Sequence, residues 1–291
     1  MAEITTRRIE ANGLTFLADE AGEGEDVALL LHGFPESRFS WRHQIPLLAD
    51  LGWRVIAPDL RGYGGSSRPP HKADYAIDHL VEDVAALFEG AGARRRLLIG
   101  HDWGAAIAWA FALDKRLPLD GLVIMNVPHP TVLARVMRAS WRQPLRSWYM
   151  GFFQIPGLPE AAMTANGAKA IGAAFSGMAV DKSRFPPEVT DVYRNNALIP
   201  GAMTAMINYY RANTGMLRRW GETPPVIDVP TLMIWGEADT ALGIENTEGY
   251  GPYVSDFSLH RLPGVSHWVQ QEAPERVNEI LASWIAARLA A

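Results

Sequence analysis

Three short segments carry residue types that can do chemistry together. Gly100-His101-Asp102-Trp103-Gly104 sets an aspartate between two glycines, each two residues away, where the apolar run Leu97-Leu98-Ile99 meets a helical pattern. Glycines so placed permit the tight strand-to-helix turn that lifts a nucleophile above a sheet, with Asp where esterases have Ser. Aspartate is also among the best helix N-caps, so this segment alone is compatible with either role. Trp235-Gly236-Glu237-Ala238-Asp239 follows another apolar run and puts an acid beyond its end. Gly264-Val265-Ser266-His267-Trp268 follows an expected strand and precedes the last helix. The order nucleophile Asp102, acid Asp239, base His267 is that of triads built on parallel α/β sheets. His32-Gly33-Phe34-Pro35 follows the run 27–31. In such a fold this loop supplies one oxyanion-hole N–H, from Phe34, and Trp103 supplies the other. Gly-Phe-Pro would equally make a plain strand-ending turn.

Those residues need a sheet beneath them, and the hydrophobic pattern supplies one. Val27-Ala28-Leu29-Leu30-Leu31, Arg54-Val55-Ile56-Ala57, Leu97-Leu98-Ile99, Leu122-Val123-Ile124-Met125 and Thr231-Leu232-Met233-Ile234-Trp235 are short and continuously apolar, as in strands buried on both faces. Leu80, Val84, Leu87 and Phe88 fall on one helical face, as do Val277, Ile280, Leu281, Trp284 and Ile285. Strand and helix in alternation predict a mostly parallel sheet flanked by helices, with ligands beyond the carboxyl ends of the strands.

The alternation stops from about Thr131 to Pro225, where short helical patterns are punctuated by Pro and Gly. This stretch holds seven of the ten methionines, and eleven Lys and Arg against five Asp and Glu. It is expected to be an all-helical lid (131–225) inserted into a discontinuous core (1–130 and 226–291). Arg135, Arg138, Arg142 and Arg146 are spaced to line one helical face, with Pro144 a possible interruption, and read as a solvated face. The methionines read as filling of an irregular helical core, a few of them lining an adaptable pocket.

Composition removes other classes. With no cysteine, disulfides, thiolate metal sites, iron–sulfur clusters and a cysteine nucleophile are excluded. A net charge of −5 argues against a nucleic-acid footprint. Neither an apolar leader nor a run long enough to span a bilayer occurs, so the expectation is a cytoplasmic protein without stable membrane insertion. No GxGxxG, phosphate loop or HExxH is found.

HGFPES (32–37), DLRGYGGSSRP (59–69), GHDWGAAIAW (100–109) and the C-terminal GVSHW together resemble the α/β-hydrolase-fold epoxide hydrolases, relatives of the haloalkane dehalogenases. The resemblance runs through essentially the whole chain. It implies a helical lid bearing two tyrosines that activate the epoxide oxygen. One precedes a Phe-Gln-x-Pro-Gly run, matched by Tyr149 before Phe153-Gln154-Ile155-Pro156-Gly157. The other lies in an Asn-aromatic-Tyr-Arg run, matched by Tyr210 in Asn208-Tyr209-Tyr210-Arg211, with Tyr209 a packing neighbour. The implied reaction converts a small apolar epoxide and water to a vicinal diol. It passes through an alkyl ester on Asp102, hydrolysed by water that His267 and Asp239 activate, with no cofactor and no metal.

Rival readings differ at named positions. A haloalkane dehalogenase resembles the chain in its Asp-Trp elbow, with Trp103 as halide donor, but halide departure needs no proton from a tyrosine pair. A fluoroacetate dehalogenase would have Arg where Trp103 and Ala106 stand. Serine esterases differ at the elbow itself. A non-catalytic ligand receptor of the same fold is opposed by a complete triad with two lid phenols.

Overall fold

The computed structural model describes residues 3–221 and 223–289. Eight strands form one sheet: β1 (Thr5–Ala11), β2 (Leu14–Ala21), β3 (Asp26–Leu31), β4 (Arg54–Pro58), β5 (Arg95–His101), β6 (Gly121–Met125), β7 (Thr231–Gly236) and β8 (Phe257–Leu262). Their spatial order is β1-β2-β4-β3-β5-β6-β7-β8. β1 and β2 pair antiparallel, as do β2 and β4; every other neighbouring pair is parallel. The five strands expected from apolar runs are β3 to β7. The first hairpin escapes that reading because β1, Thr-Thr-Arg-Arg-Ile-Glu-Ala, is an edge strand with its first five residues exposed or nearly so.

Apolar runs are continuous because both sheet faces are covered. Val27, Leu29 and Leu31 of β3 pack on one side with helix α2 (Ile77–Gly90) and helix α3 (Trp103–Leu113). Ala28 and Leu30 pack on the other with α1 (Gln44–Asp50) and the C-terminal helix, Pro274–Arg288. Ten of the eleven residues of α3 are buried, so it shows no polar face and lies at the centre of the molecule.

Between β6 and β7 the described residues form six α-helices and no strand: α4 (Pro130–Ala139), α5 (Arg142–Arg146), α6 (Trp148–Phe152), α7 (Leu158–Met178), α8 (Pro187–Ala197) and α9 (Ala202–Ala212). The chain ends with α10 (Val269–Glu272) and α11 (Pro274–Arg288). The arginine series does break, but at extended Ser140 between α4 and α5 and not at Pro144, which sits within α5. Inside α7 the helix is interrupted at Ala165–Ala168, where Asn166, Gly167 and Ala168 take positive φ.

The segment is fastened to the core by polar bonds as well as packing. Tyr209 is fully buried and its hydroxyl donates to the Arg61 carbonyl at 2.7 Å. Asn213, just past α9, accepts from the Ile77 amide (2.7 Å) and donates to the Tyr75 carbonyl (2.9 Å), closing the start of α2.

Candidate active site

The parallel topology brings the chemistry to one edge of the sheet. Phe34 lies just beyond β3, Asp102 beyond β5, Asp239 beyond β7 and His267 beyond β8, all at carboxyl ends. Asp102 occupies the turn between β5 and α3 with φ 49° and ψ −121°, a conformation that costs an L-residue on the order of 1–3 kcal/mol. The turn is sterically possible only because its flanks lack side chains. A Cβ on Gly100 would stand 2.5 Å from the Gly104 carbonyl, and one on Gly104 would collide with the Leu31 carbonyl.

Asp102 does not cap α3 with its side chain. Its Oδ1 instead accepts the Phe34 amide at 2.6 Å, and its Oδ2 lies 3.5 Å from His267 Nε2. Trp103 opens α3, so its amide is one of the helix's first N–H groups, which have no partner within the helix. His267 Nδ1 donates to Asp239 Oδ2 at 2.7 Å. The other Asp239 oxygen accepts the amides of Ala241 (2.7 Å) and Leu242 (2.9 Å). Asp239 Oδ2 also accepts Asn126 Nδ2 at 2.7 Å, while Asn126 Oδ1 receives the Gly236 amide.

This arrangement sets the charges. Burial acts to drive the proton off His267, but Asp239 and Asp102 outweigh it and push its pKa up to about 10. Burial opposes ionisation of Asp102, and the bond to His267 outweighs it, so its carboxyl is held low. Asp239 is held low in the same way, by the charge of His267. The resting site is a carboxylate–imidazolium–carboxylate row, a coupled unit and not three independent titrations.

A second buried row lies behind it, which the sequence reading did not single out. Glu36 is wholly buried, and its Oε2 accepts the Gly33 amide (2.8 Å) and meets His101 Nδ1 at 2.7 Å. Its Oε1 accepts the side-chain amides of Gln270 and Gln271, each at 2.8 Å. His101 Nε2 faces the His267 carbonyl at 2.8 Å, so the ring bridges Glu36 and the His267 loop. Burial alone would raise the Glu36 pKa; the neighbouring His101 charge overrides it and holds the carboxylate ionised. One carboxylate thus fixes the Phe34 loop on one side and the His267 loop on the other. The signals were present in HGFPES, in the His beside Asp102 and in Asn126 directly after an apolar strand, but nothing local tells such residues from turn formers.

Asp102, Trp103, Tyr149 and Tyr210 all line one cavity of about 150 Å³. Its remaining walls are mostly apolar, among them Trp109, Val127, Leu133, Met137, Met150 and Leu242, and Asp102 is its one charged residue. The Tyr210 ring stands edge-on to Trp103 (centroids 5.1 Å) and to Tyr149 (6.0 Å). Burial, followed by the Asp102 charge, raises both phenol pKa values, so Tyr149 and Tyr210 remain protonated donors at neutral pH. Tyr209 points away, into the bond with Arg61. A larger hollow, about 440 Å³, lies between α7 and α8 and touches none of these residues.

Comparison with known proteins places the fold. Residues 27–274 match the model of the alpha/beta hydrolase fold family. An AB hydrolase superfamily protein of Bacillus subtilis is 36% identical over 279 residues, covering 95% of this chain and 96% of its own. Epoxide hydrolase 4 of Mus musculus is 36% identical over 284 residues, 96% of this chain and 78% of its own. Among solved structures, an epoxide hydrolase of Bacillus megaterium bound to an inhibitor superposes with a TM-score of 0.88 at 33% identity, covering 96% of this chain and 99% of that one. The chain belongs to the alpha/beta hydrolase fold family, as a relative of its epoxide hydrolases.

Proposed function

We propose that this protein is an epoxide hydrolase that opens a small apolar epoxide to a vicinal diol through an ester on Asp102. The observation that carries the reading is the pairing of an ionised, His267-linked Asp102 with two protonated phenols in one apolar cavity. Residues 131–225 act as the lid that brings those phenols over a core of 1–130 and 226–291.

An epoxide offers an sp3 carbon and a poor leaving group. Asp102, ionised at neutral pH, needs no base to attack that carbon. As the ring C–O bond breaks, the departing oxygen takes a proton from Tyr149 or Tyr210, which hold it by hydrogen bonds. Esterification then removes the charge of Asp102, one of the two carboxylates that keep His267 protonated. His267 gives up that proton, which by way of solvent restores the phenolate left by the first step, and becomes a base oriented by Asp239. It deprotonates a water, which attacks the Asp102 carbonyl carbon. The Phe34 and Trp103 amides hold the resulting oxyanion; losing one such donor typically costs about 2.7–4 kcal/mol of transition-state stabilisation. The ester C–O bond breaks, the diol oxygen takes the proton from His267, and Asp102, released as its carboxylic acid, passes a proton to His267, which restores the resting carboxylate–imidazolium pair.

The test is His267→Gln, which should complete the first half-reaction and stall. Intact mass should rise by the mass of the epoxide supplied. A folded variant that binds the epoxide yet gains no mass would refute the ester. Diol from an aryl epoxide and halide from a haloalkane, assayed side by side, separate this activity from dehalogenation: diol alone is expected.

A further inference from the structure

Half of the large apolar side chains that the described residues leave exposed fall in residues 141–158. They are Trp141, Leu145, Trp148, Met150, Ile155 and Leu158, with Trp141 71%, Leu145 61% and Trp148 66% accessible. Trp141, Leu145 and Trp148 are spaced four and three apart across α5 and the start of α6. The Leu145 amide donates to the Trp141 carbonyl, so that turn is helical and Trp141 and Leu145 share a face, with Trp148 just beyond the break at Ser147. Single exposed apolar residues are ordinary, but a row of this size rimmed by polar groups marks a contact surface.

The charge around the row identifies the contact. No Asp or Glu occurs between Asp120 and Glu160, whereas four arginines do. Arg142 is exposed, lies 6.0 Å from the Trp141 ring, and has no carboxylate partner among the described residues. Glu245 and Glu248 face a hollow shared with Arg135 of α4, and Arg135 donates to the Glu248 carbonyl. A second copy of this chain is a poor occupant, because a two-fold contact would oppose arginine to arginine. Tryptophans beside arginines suit an interface that is apolar inside and anionic at its surface.

We propose that the α5–α6 face docks on an anionic lipid bilayer without crossing it. No helix among the described residues is long and apolar enough to span a membrane, so the contact is peripheral. Met150 belongs both to the exposed group and to the cavity wall, which makes the apolar surface continuous from the face to Tyr149. The docked orientation therefore presents the cavity mouth to whatever apolar molecules the bilayer dissolves.

Vesicle co-sedimentation and tryptophan emission of the full chain test this. Phosphatidylcholine vesicles with added phosphatidylglycerol should bind the protein, shift its emission to the blue and release it in high salt. Arg142→Glu should lower the partition coefficient roughly tenfold or more. Trp141→Ala with Leu145→Ser should abolish the blue shift while the melting temperature is retained. Equal binding to neutral vesicles, no binding, or binding unaffected by either variant would overturn the proposal. So would light scattering that finds a dimer which Trp141→Ala dissociates, because a second copy would then cover the face.

Discussion

The α7–α8 end of the helical segment is knitted to the loop carrying His267, while the α5–α6 end holds two tryptophans in water. At the first, Glu272 of α10 accepts the Val180 and Asp181 amides just after α7 through one oxygen, and Ser266 through the other. The Tyr193 hydroxyl donates to Gln271 at 2.6 Å, and Phe175 packs on Trp268 at 4.4 Å between centroids. At the second end, Trp141 and Leu145 contribute little to the core. Each end also borders a different part of the reaction. The fastened end meets the loop of His267, the proposed base, which is held 2.7 Å from Asp239 and 3.5 Å from Asp102. The exposed end carries Tyr149 and Met150, which line the cavity. The proposed reaction asks for rigidity around His267 and for accessible surface beside the cavity, and separate contacts serve the two.

The comparison can be broken by variants at each end. The largest effect belongs to the phenols, one from each side: Tyr210 sits on α9 beside anchored Tyr209, and Tyr149 on exposed α6. Tyr149→Phe and Tyr210→Phe should each slow alkylation in single-turnover assays, and the double variant should lose roughly 10²–10⁴-fold. Unchanged rates in the double variant would remove both from the chemistry.

At the fastened end, Glu272→Ala strips three amides of their acceptor and should cost about 1–3 kcal/mol of stability. Denaturant unfolding measures it; a neutral result would show that packing alone holds this end. A pH dependence follows from His267. Its folded pKa of about 10 exceeds the unfolded value, so its contribution is complete below about pH 6.5 and is lost as pH rises through the folded value. Stability should fall over that window by at most about 1.4 kcal/mol per pH unit from this group, and Asp102→Asn should flatten the slope. Leu145→Ser, at the exposed end, should change stability by no more than about 0.5 kcal/mol. A large loss there would mean that the two ends are not different in kind.

How much of this was legible beforehand depended on whether the signal was local. β3 to β7 were legible because a strand covered on both faces must be apolar throughout, whatever its neighbours. β1 was not, because Thr-Thr-Arg-Arg-Ile is compatible with a loop until β2 offers it a hydrogen-bonding edge. Within the site, the Asp102 turn was narrowed to two roles by its glycines. Only the folded chain removes the capping role, by showing the carboxylate bonded to the Phe34 amide and not to α3. Glu36 and Asn126 were invisible for a related reason: a buried polar residue is defined by partners that lie far away in sequence.

By itself the sequence determined residue types and order: an aspartate between glycines and then an acid, each following an apolar run, and last a histidine. The glycines answer a backbone requirement, since only glycine tolerates the contacts at 100 and 104. Tertiary structure alone decided the distances and the charges. The 2.7 Å and 3.5 Å contacts that raise the His267 pKa come from three different strand ends. Neighbouring Tyr209 and Tyr210 likewise part company only in the fold, where α9 turns one hydroxyl to Arg61 and sets the other residue against the cavity. A proton's affinity depends on what surrounds it in space, and spacing along the chain does not contain that.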